Sequence, residues 1–453
     1  MSKDQFAASR EVHKPQADPD KLIKTGIWGP SLADWRDIVE DIIYIARRRF
    51  DNKLAMVQLQ LSLHLCVSEA QNNIKIYKDI LKHPENMAKY TDEVAVIENP
   101  NLNDVERKKG REELMLAAFL DIGDSHMWRM FDYDRSLLYI MGKHMSAGPM
   151  QYGPSLISEL HGWGHSVVNT DVSHFIINSI TNFGRIGDVL LRHGDGTIEV
   201  KEIKSKNSAR GKKWKERLER QEQVRGNFLS FANSGNGSID GRNVSIIDGS
   251  IALKSSLDIL DKGLIEASKT GVVNRKISPY MNVVIFDFQV ISDKEHRAQA
   301  KRAIDQAKQD WTQPSENILI IDSTDRQVFS PNRTPLSSLP FTESCIADLL
   351  LRKKVIVYCI NIDVFVNKFK ERGWELSPSG KEPTEQEAGQ DEPGWILKKG
   401  PQRLGFPAIA LSLLFYDTVS ISCVIDQLNE FVKGGIIEGG YFIRFVGEDS
   451  VWK

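Results

Sequence analysis

Gly187-Asp188-Val189-Leu190-Leu191-Arg192-His193-Gly194-Asp195-Gly196-Thr197-Ile198-Glu199-Val200-Lys201-Glu202-Ile203-Lys204-Ser205 reads as two short apolar strands joined by a glycine-flanked turn. An acid opens the first strand. A carboxylate and a lysine two apart close the second, with Glu202 fourteen residues beyond Asp188. Side chains two apart on a strand face the same way, so Glu202 and Lys204 share one face. Two carboxylates and a lysine meeting at a sheet end can hold a divalent cation and an activated water against a phosphate.

The length of the turn decides which acid Asp188 meets. With an even loop, Asp188 lies opposite Lys201 and shares a face with Glu199. With an odd loop or a bulge, it lies opposite Glu202. A three-residue Gly194-Asp195-Gly196 loop with a left-handed glycine is a common odd solution. The Glu202–Lys204 pair also shares its face with Ile198 and Val200, and it is the preferred set. Glu199-Val200-Lys201 is the second candidate, on the opposite face. The bland alternative is that both pairs are charges on a solvated amphipathic strand.

Around this ribbon the pattern predicts a short helix over 155–161 carrying Glu159 and a strand over 174–180. A charged helix over 213–232 and a strand over 243–247 follow. The order is helix, three strands, helix, strand.

With Asp188, Glu202 and Lys204, this middle unit resembles the PD-(D/E)xK nuclease superfamily over roughly 100 residues. Gly187 stands where the family often has proline, and Lys204 is followed by Ser205, as is frequent in the family. The resemblance implies an α/β fold: a restriction-endonuclease-like αβββαβ core, flanked here by an N-terminal helical domain and a C-terminal α/β domain. It implies Asp188 and Glu202 as metal ligands with the Ile203 carbonyl, and Lys204 as the group that orients the attacking water. Gln221 is similar to a glutamine that many members carry on the following helix, where it would brace Lys204 or contact substrate, set against the plainer reading of an exposed helix residue with no role. Glu159 would be a further ligand from the first helix, set against the plainer reading of an exposed helical glutamate. Hard oxygen ligands select Mg²⁺ or Mn²⁺. The implied reaction is phosphodiester hydrolysis leaving a 5′-phosphate, on DNA first and RNA second. Architectures of this kind suggest prokaryotic antiviral defence by analogy only.

Between Lys201 and Arg220 nine basic residues (Lys201, Lys204, Lys206, Arg210, Lys212, Lys213, Lys215, Arg217 and Arg220) face three glutamates, with Trp214 among them. The chain's formal net charge is -2, so this is a local positive patch suited to a phosphate backbone rather than a bulk polycation. Glu–Lys/Arg pairs on a solvated helix are the plainer reading of its later part.

Outside the core, residues 1–20 read as a disordered tail and 21–150 as a helical domain. Within the latter, Trp35, Ile38, Val39, Ile42 and Ile43 recur at helical spacing after Ser31 as N-cap. The polar and aromatic stretch 121–129 predicts helix packing around a capped break, in preference to a second functional surface. Residues 151–250 form the core and 251–453 the C-terminal domain, with an exposed loop over 377–394. His161, His165 and His174 lack a convincing zinc pattern, and Asp287, Asp322 and Asp325 read as ordinary strand-end acids.

At 41% hydrophobic and 26% charged residues, the 453-residue chain has the composition of a globular protein. The apolar run 406–416 is too short to span a bilayer and reads as a buried helix. Cys66, Cys345, Cys359 and Cys423 form no CxxC pair, which suits buried thiols and a cytoplasmic setting. No P-loop, HExxH or GxSxG motif is present. The expected partner is nucleic acid, with no membrane and with a protein partner or self-association through the N-terminal helices. The rival class is a non-catalytic nucleic-acid-binding or assembly subunit on a nuclease-like scaffold.

Overall fold

The computed structural model describes residues 32–49, 51–90, 102–143, 164, 167–168, 170–181, 189–201, 212–239, 242–291, 296–311, 315–323, 334–378, 395–406, 408–433 and 440–444. It is a mixed helix and sheet protein, as the α/β expectation required. Among the described residues no helix is long and apolar enough to cross a membrane.

The N-terminal helices are α1 (Leu32–Arg48), α2 (Lys53–Lys82), α3 (Leu102–Met130) and α4 (Arg135–Lys143). Asn52 caps α2 by accepting from the Ala55 N–H at 3.0 Å. Asp134 caps α4 with Oδ1, which accepts from Ser136 N and Leu137 N. The capped break expected over 121–129 is absent, and α3 runs through it. The Asp121 carboxylate is instead used across the molecule, accepting from Leu336 N (3.1 Å) and Ser337 N (3.0 Å). Gly123 allows a backbone approach that no other residue would, because a Cβ there would stand 1.7 Å from the Ile180 carbonyl oxygen.

The middle third holds β1 (Val172–Ile177), β2 (Val189–His193) and β3 (Ile198–Lys201), an antiparallel sheet in the order β1-β2-β3. The strand expected over 174–180 ends at Ile177, and Asn178–Ile180 turn as a 3₁₀ helix under Gly123. The edge strand β1 is covered by Gln60 of α2. Its Nε2 donates to Phe175 O (2.6 Å) and its Oε1 accepts from Ile177 N (2.9 Å), so unpaired edge groups are satisfied internally.

Helix α5 (Lys212–Ser234) follows, then β4 (Asn236–Ile239) and β5 (Arg242–Asp248). One strand was expected after α5, but a hairpin forms. Gly235 at φ +69° turns the chain, and Asn227 Oδ1 accepts from Ser238 N at 2.7 Å to hold the first arm. β5 also pairs in parallel with β13 (Gly440–Arg444), so the last described strand returns to the middle third. Among the described residues β5 does not pair with β3, and the two ladders are separate.

Beyond them lie α6 (Leu257–Thr270), β6 (Val272–Ser278), β7 (Met281–Asp287), α7 (His296–Gln309), β8 (Ile318–Asp322), α8 (Glu343–Leu350), β9 (Lys354–Asn361) and α9 (Ile362–Lys370). The strands form an antiparallel sheet, β6-β7-β9-β8. Its apolar residues alternate between two sides. Val283, Ile285, Ile356 and Tyr358 join one cluster with Leu260 and Leu264 of α6, while Val284, Phe286, Val357 and Cys359 meet Ala303 and Ala307 of α7. A small sheet of β10 (Glu375–Pro378), β11 (Trp395–Lys399) and β12 (Gln402–Phe406) precedes α10 (Ala408–Phe415) and α11 (Ile421–Lys433). Of the expected exposed loop over 377–394, Ser377 and Pro378 are strand, paired with Ile396 and Trp395, and 379–394 lie outside the described residues. The buried helix expected within 406–416 is α10. One apolar cluster contains residues from α1, α2, α3, β1, β2, α6, β7, β9 and α11.

Candidate functional site

The β2–β3 ribbon is built by its turn. His193 N donates to Thr197 O (2.9 Å), and Gly194, Asp195 and Gly196 form a three-residue loop with Gly196 at φ +87°. Asp195 Oδ1 accepts from the Thr197 N–H at 2.8 Å, and that bond lowers the Asp195 pKa. The loop is odd, and the ladder pairs Arg192 with Ile198, Leu191 with Glu199, Leu190 with Val200 and Val189 with Lys201.

Facing residues share a side of the sheet, so this register sorts the ribbon. Leu190, Ile198 and Val200 pack with Trp128 of α3 and with Phe228 and Phe231 of α5. Val189 and Leu191 join Phe175 and Ile177 in the larger cluster on the other side. Helix α5 is pinned to β3 by Asn233, whose Oδ1 accepts from Ile198 N at 2.9 Å. The ring of Phe131 stands edge-on to Phe228 at 5.8 Å. Each large side chain buried here contributes about 1.5–3 kcal/mol.

Glu199 and Lys201, the second candidate set, lie on the Leu191 side and form an ion pair with each other. His193 Nε2 lies 3.3 Å from Glu199 Oε2. Partial burial works to raise the Glu199 pKa, but the bonds from Lys201 and His193 outweigh it and leave it below its ordinary value. Both side chains are more than one-third exposed, which makes this a surface pair.

Asp188 and Glu202 are the positions next beyond the last described pair, Val189–Lys201. They lie outside the described residues, as do Ile203, Lys204, Lys206, Arg210, Glu159, His161, His165 and Asp325. Lys212, Lys213, Lys215, Arg220 and Gln221 are on α5, with side chains outside the described set. His174 is half-buried on β1, and burial, then the charge of Arg192, lowers its pKa. Among the described residues no group of three or more His, Cys, Asp or Glu is placed to hold a metal.

The strand-end acids of the C-terminal sheet do not converge. Asp287 faces Lys354 across β7–β9, whereas Asp322 faces Val357 on the other side of β9. Asp287 is 3.6 Å from Lys354 Nζ, and the same ammonium is 2.9 Å from Asp348. Arg36 of α1 reaches Asp348 Oδ1 at 2.8 Å and also bonds Ser344. Burial alone would lower the Lys354 pKa, but the Asp348 bond and the neighbouring charges raise it.

Sequence reasoning missed the buried Arg135–Asp417 pair. Arg135 Nη2 donates to Asp417 and to Thr334 Oγ1 (2.7 Å), Thr334 donates to Asp417 Oδ2 (2.7 Å), and the guanidinium lies 4.7 Å from the Trp128 ring centroid. The partners are 282 positions apart, so no local spacing signals them. The four cysteines are free, and burial pushes the Cys66 and Cys359 thiols up to about 12 and about 11. These two are unreactive at neutral pH.

Comparison with family models, with curated proteins and with solved structures finds no match for this chain.

Proposed function

We propose that the chain is a metal-dependent nuclease that hydrolyses phosphodiester bonds, in DNA first and RNA second. The observation that carries this reading is the odd turn of the β2–β3 ribbon. Were that register to continue one step past Val189–Lys201, Asp188 would face Glu202, on the side of Leu190 and Val200 and away from Glu199. The donor set is two hard carboxylates and a carbonyl, the chemistry that suits Mg²⁺ or Mn²⁺. Asp188, Glu202 and the Ile203 carbonyl would hold the ion, which supplies charge neutralisation at the phosphate when bound.

In this reading Lys204 orients the attacking water and offsets negative charge, and Gln221 braces it. Lys206, Arg210, Lys212, Lys213, Lys215 and Arg220 bind the nucleic-acid backbone as fixed positive charges, with salt-dependent affinity. A role in defence is the expectation by analogy of architecture, and a partner or a second copy would dock on the N-terminal helices.

Purified protein incubated with plasmid, linear duplex and RNA under Mg²⁺ or Mn²⁺ tests this. Lys204→Ala and Glu202→Ala should each lose at least about 100-fold in rate while keeping the fold. Unchanged cleavage by Lys204→Ala would sink the assignment. Salt-sensitive binding with no turnover in either metal would mark a non-catalytic scaffold.

A further inference from the structure

A groove of about 440 Å³ opens on the C-terminal sheet between the β6–β7 turn, the segment just after α7 and the outer side of α9. Its volume falls in the range of small-ligand sites, roughly 300–1,000 Å³. Lys276 and Pro279 line one wall, Asn367 and Lys370 another, and Trp311 lies beneath. Lys368 is held by Glu371 across the last turn of α9, at 2.7 and 2.9 Å. Lys276 and Lys370 are exposed and have no ion-pair partner among the described residues. With three lysines and one engaged glutamate the lining is net positive, in a chain of formal net charge -2.

Trp311, 6% exposed, adds an aromatic ring to the lining. An acceptor-rich anion fits the lysines. Among the described residues no arginine lines the groove, so a planar carboxylate would find no bidentate fork there. Lysine ammoniums act as point charges, which suit the several oxygens of a phosphate. A groove of this volume favours a compact ligand over a nucleic-acid strand, which is tracked by an extended surface.

We propose that this groove binds a small phosphate-bearing anion of about nucleotide size. The proposal goes beyond the nuclease reading and does not depend on it. Isothermal titration of the full chain with ATP, pyrophosphate, inorganic phosphate and adenosine tests it. ATP and pyrophosphate should bind with a Kd below about 1 mM. Inorganic phosphate should bind more weakly, and adenosine should not bind. The double variant Lys276→Glu, Lys370→Glu should weaken ATP binding at least about tenfold, with its thermal unfolding unchanged because both side chains are exposed. If that variant does not fold, Lys370→Gln replaces it, with about a threefold loss expected. Absence of binding by every phosphate compound would overturn the proposal. So would equal binding of ATP and adenosine, unaltered binding by the folded variant, or binding of an oligonucleotide through these lysines without binding of ATP.

Discussion

Leu191 stands directly across the β2–β3 ladder from Glu199. That one pairing places Glu199 and Lys201 on the side of Val189 and Leu191, with Leu190 and Val200 on the other. Of the two candidate carboxylate–lysine sets, Glu199 and Lys201 are thus placed on the Leu191 side, and Glu202 and Lys204 lie outside the described residues. Were β3 to run on past Lys201, Glu202 and Lys204 would fall on the Val200 side.

Glu199→Ala should leave cleavage within about twofold of wild type and cost no more than about 0.5 kcal/mol of stability, as exposed ion pairs do. The plasmid assay and a urea unfolding curve measure both. A hundredfold loss of rate in Glu199→Ala would move the site to the other side of the ribbon.

Gly123→Ala should destabilise the protein by about 2–3 kcal/mol, because the new methyl meets the Ile180 carbonyl oxygen and the 3₁₀ turn must shift. Gly110, on the same helix, is the control, since a Cβ added there would meet nothing within 4 Å. Gly110→Ala should be neutral or stabilising by up to about 1 kcal/mol. Equal melting of the two variants would disprove the close approach.

Lys354→Ala leaves Asp287 and Asp348 buried without the ammonium between them. Breaking a buried pair from one side costs about 3–5 kcal/mol, and chemical denaturation should show a loss of that order. The sign with pH follows from the raised Lys354 pKa. Its stabilisation is complete below the ordinary lysine pKa of 10.5 and disappears as pH rises through the higher folded value. Wild type should therefore lose its advantage over Lys354→Ala only in strong alkali.

His126 should make the protein acid-sensitive. Burial, then the charges of Arg129 and His174, pushes its pKa down to about 3 from 6.5. Above 6.5 both folded and unfolded chains carry it neutral. Between 6.5 and about 3 only the unfolded chain takes the proton, so stability falls with acidification by up to about 1.4 kcal/mol per pH unit. His126→Gln should flatten the decline measured between pH 6 and pH 4. An identical slope in the variant would show that imidazole protonation contributes nothing there.

Much of the ribbon was legible in the chain because its signals are local. A continuous apolar run marks β2 and alternation marks β3, and glycine at the third loop position permits the positive φ that an odd turn needs. The near-continuous apolar runs of β7 and β9 are likewise properties of neighbouring residues. The break expected in α3 shows where this reading stops. Asp121 is a good local cap by type, yet its hydrogen bonds go to Leu336 and Ser337, more than 200 positions away. The acids at 287 and 322 show the same limit, since only the strand order sends one to Lys354 and the other to the far side of β9.

The amino-acid order by itself marked most of the described helices and strands, and showed that the central turn could be odd. Tertiary structure alone decided that Arg135 meets Asp417, that Arg36 meets Asp348, that Gln60 seals the edge of β1, and that β13 closes on β5. The physical reason is range. Periodicity and backbone preference act over a few residues, whereas the choice of partner for a buried charge or a strand edge is made when distant segments exclude water together.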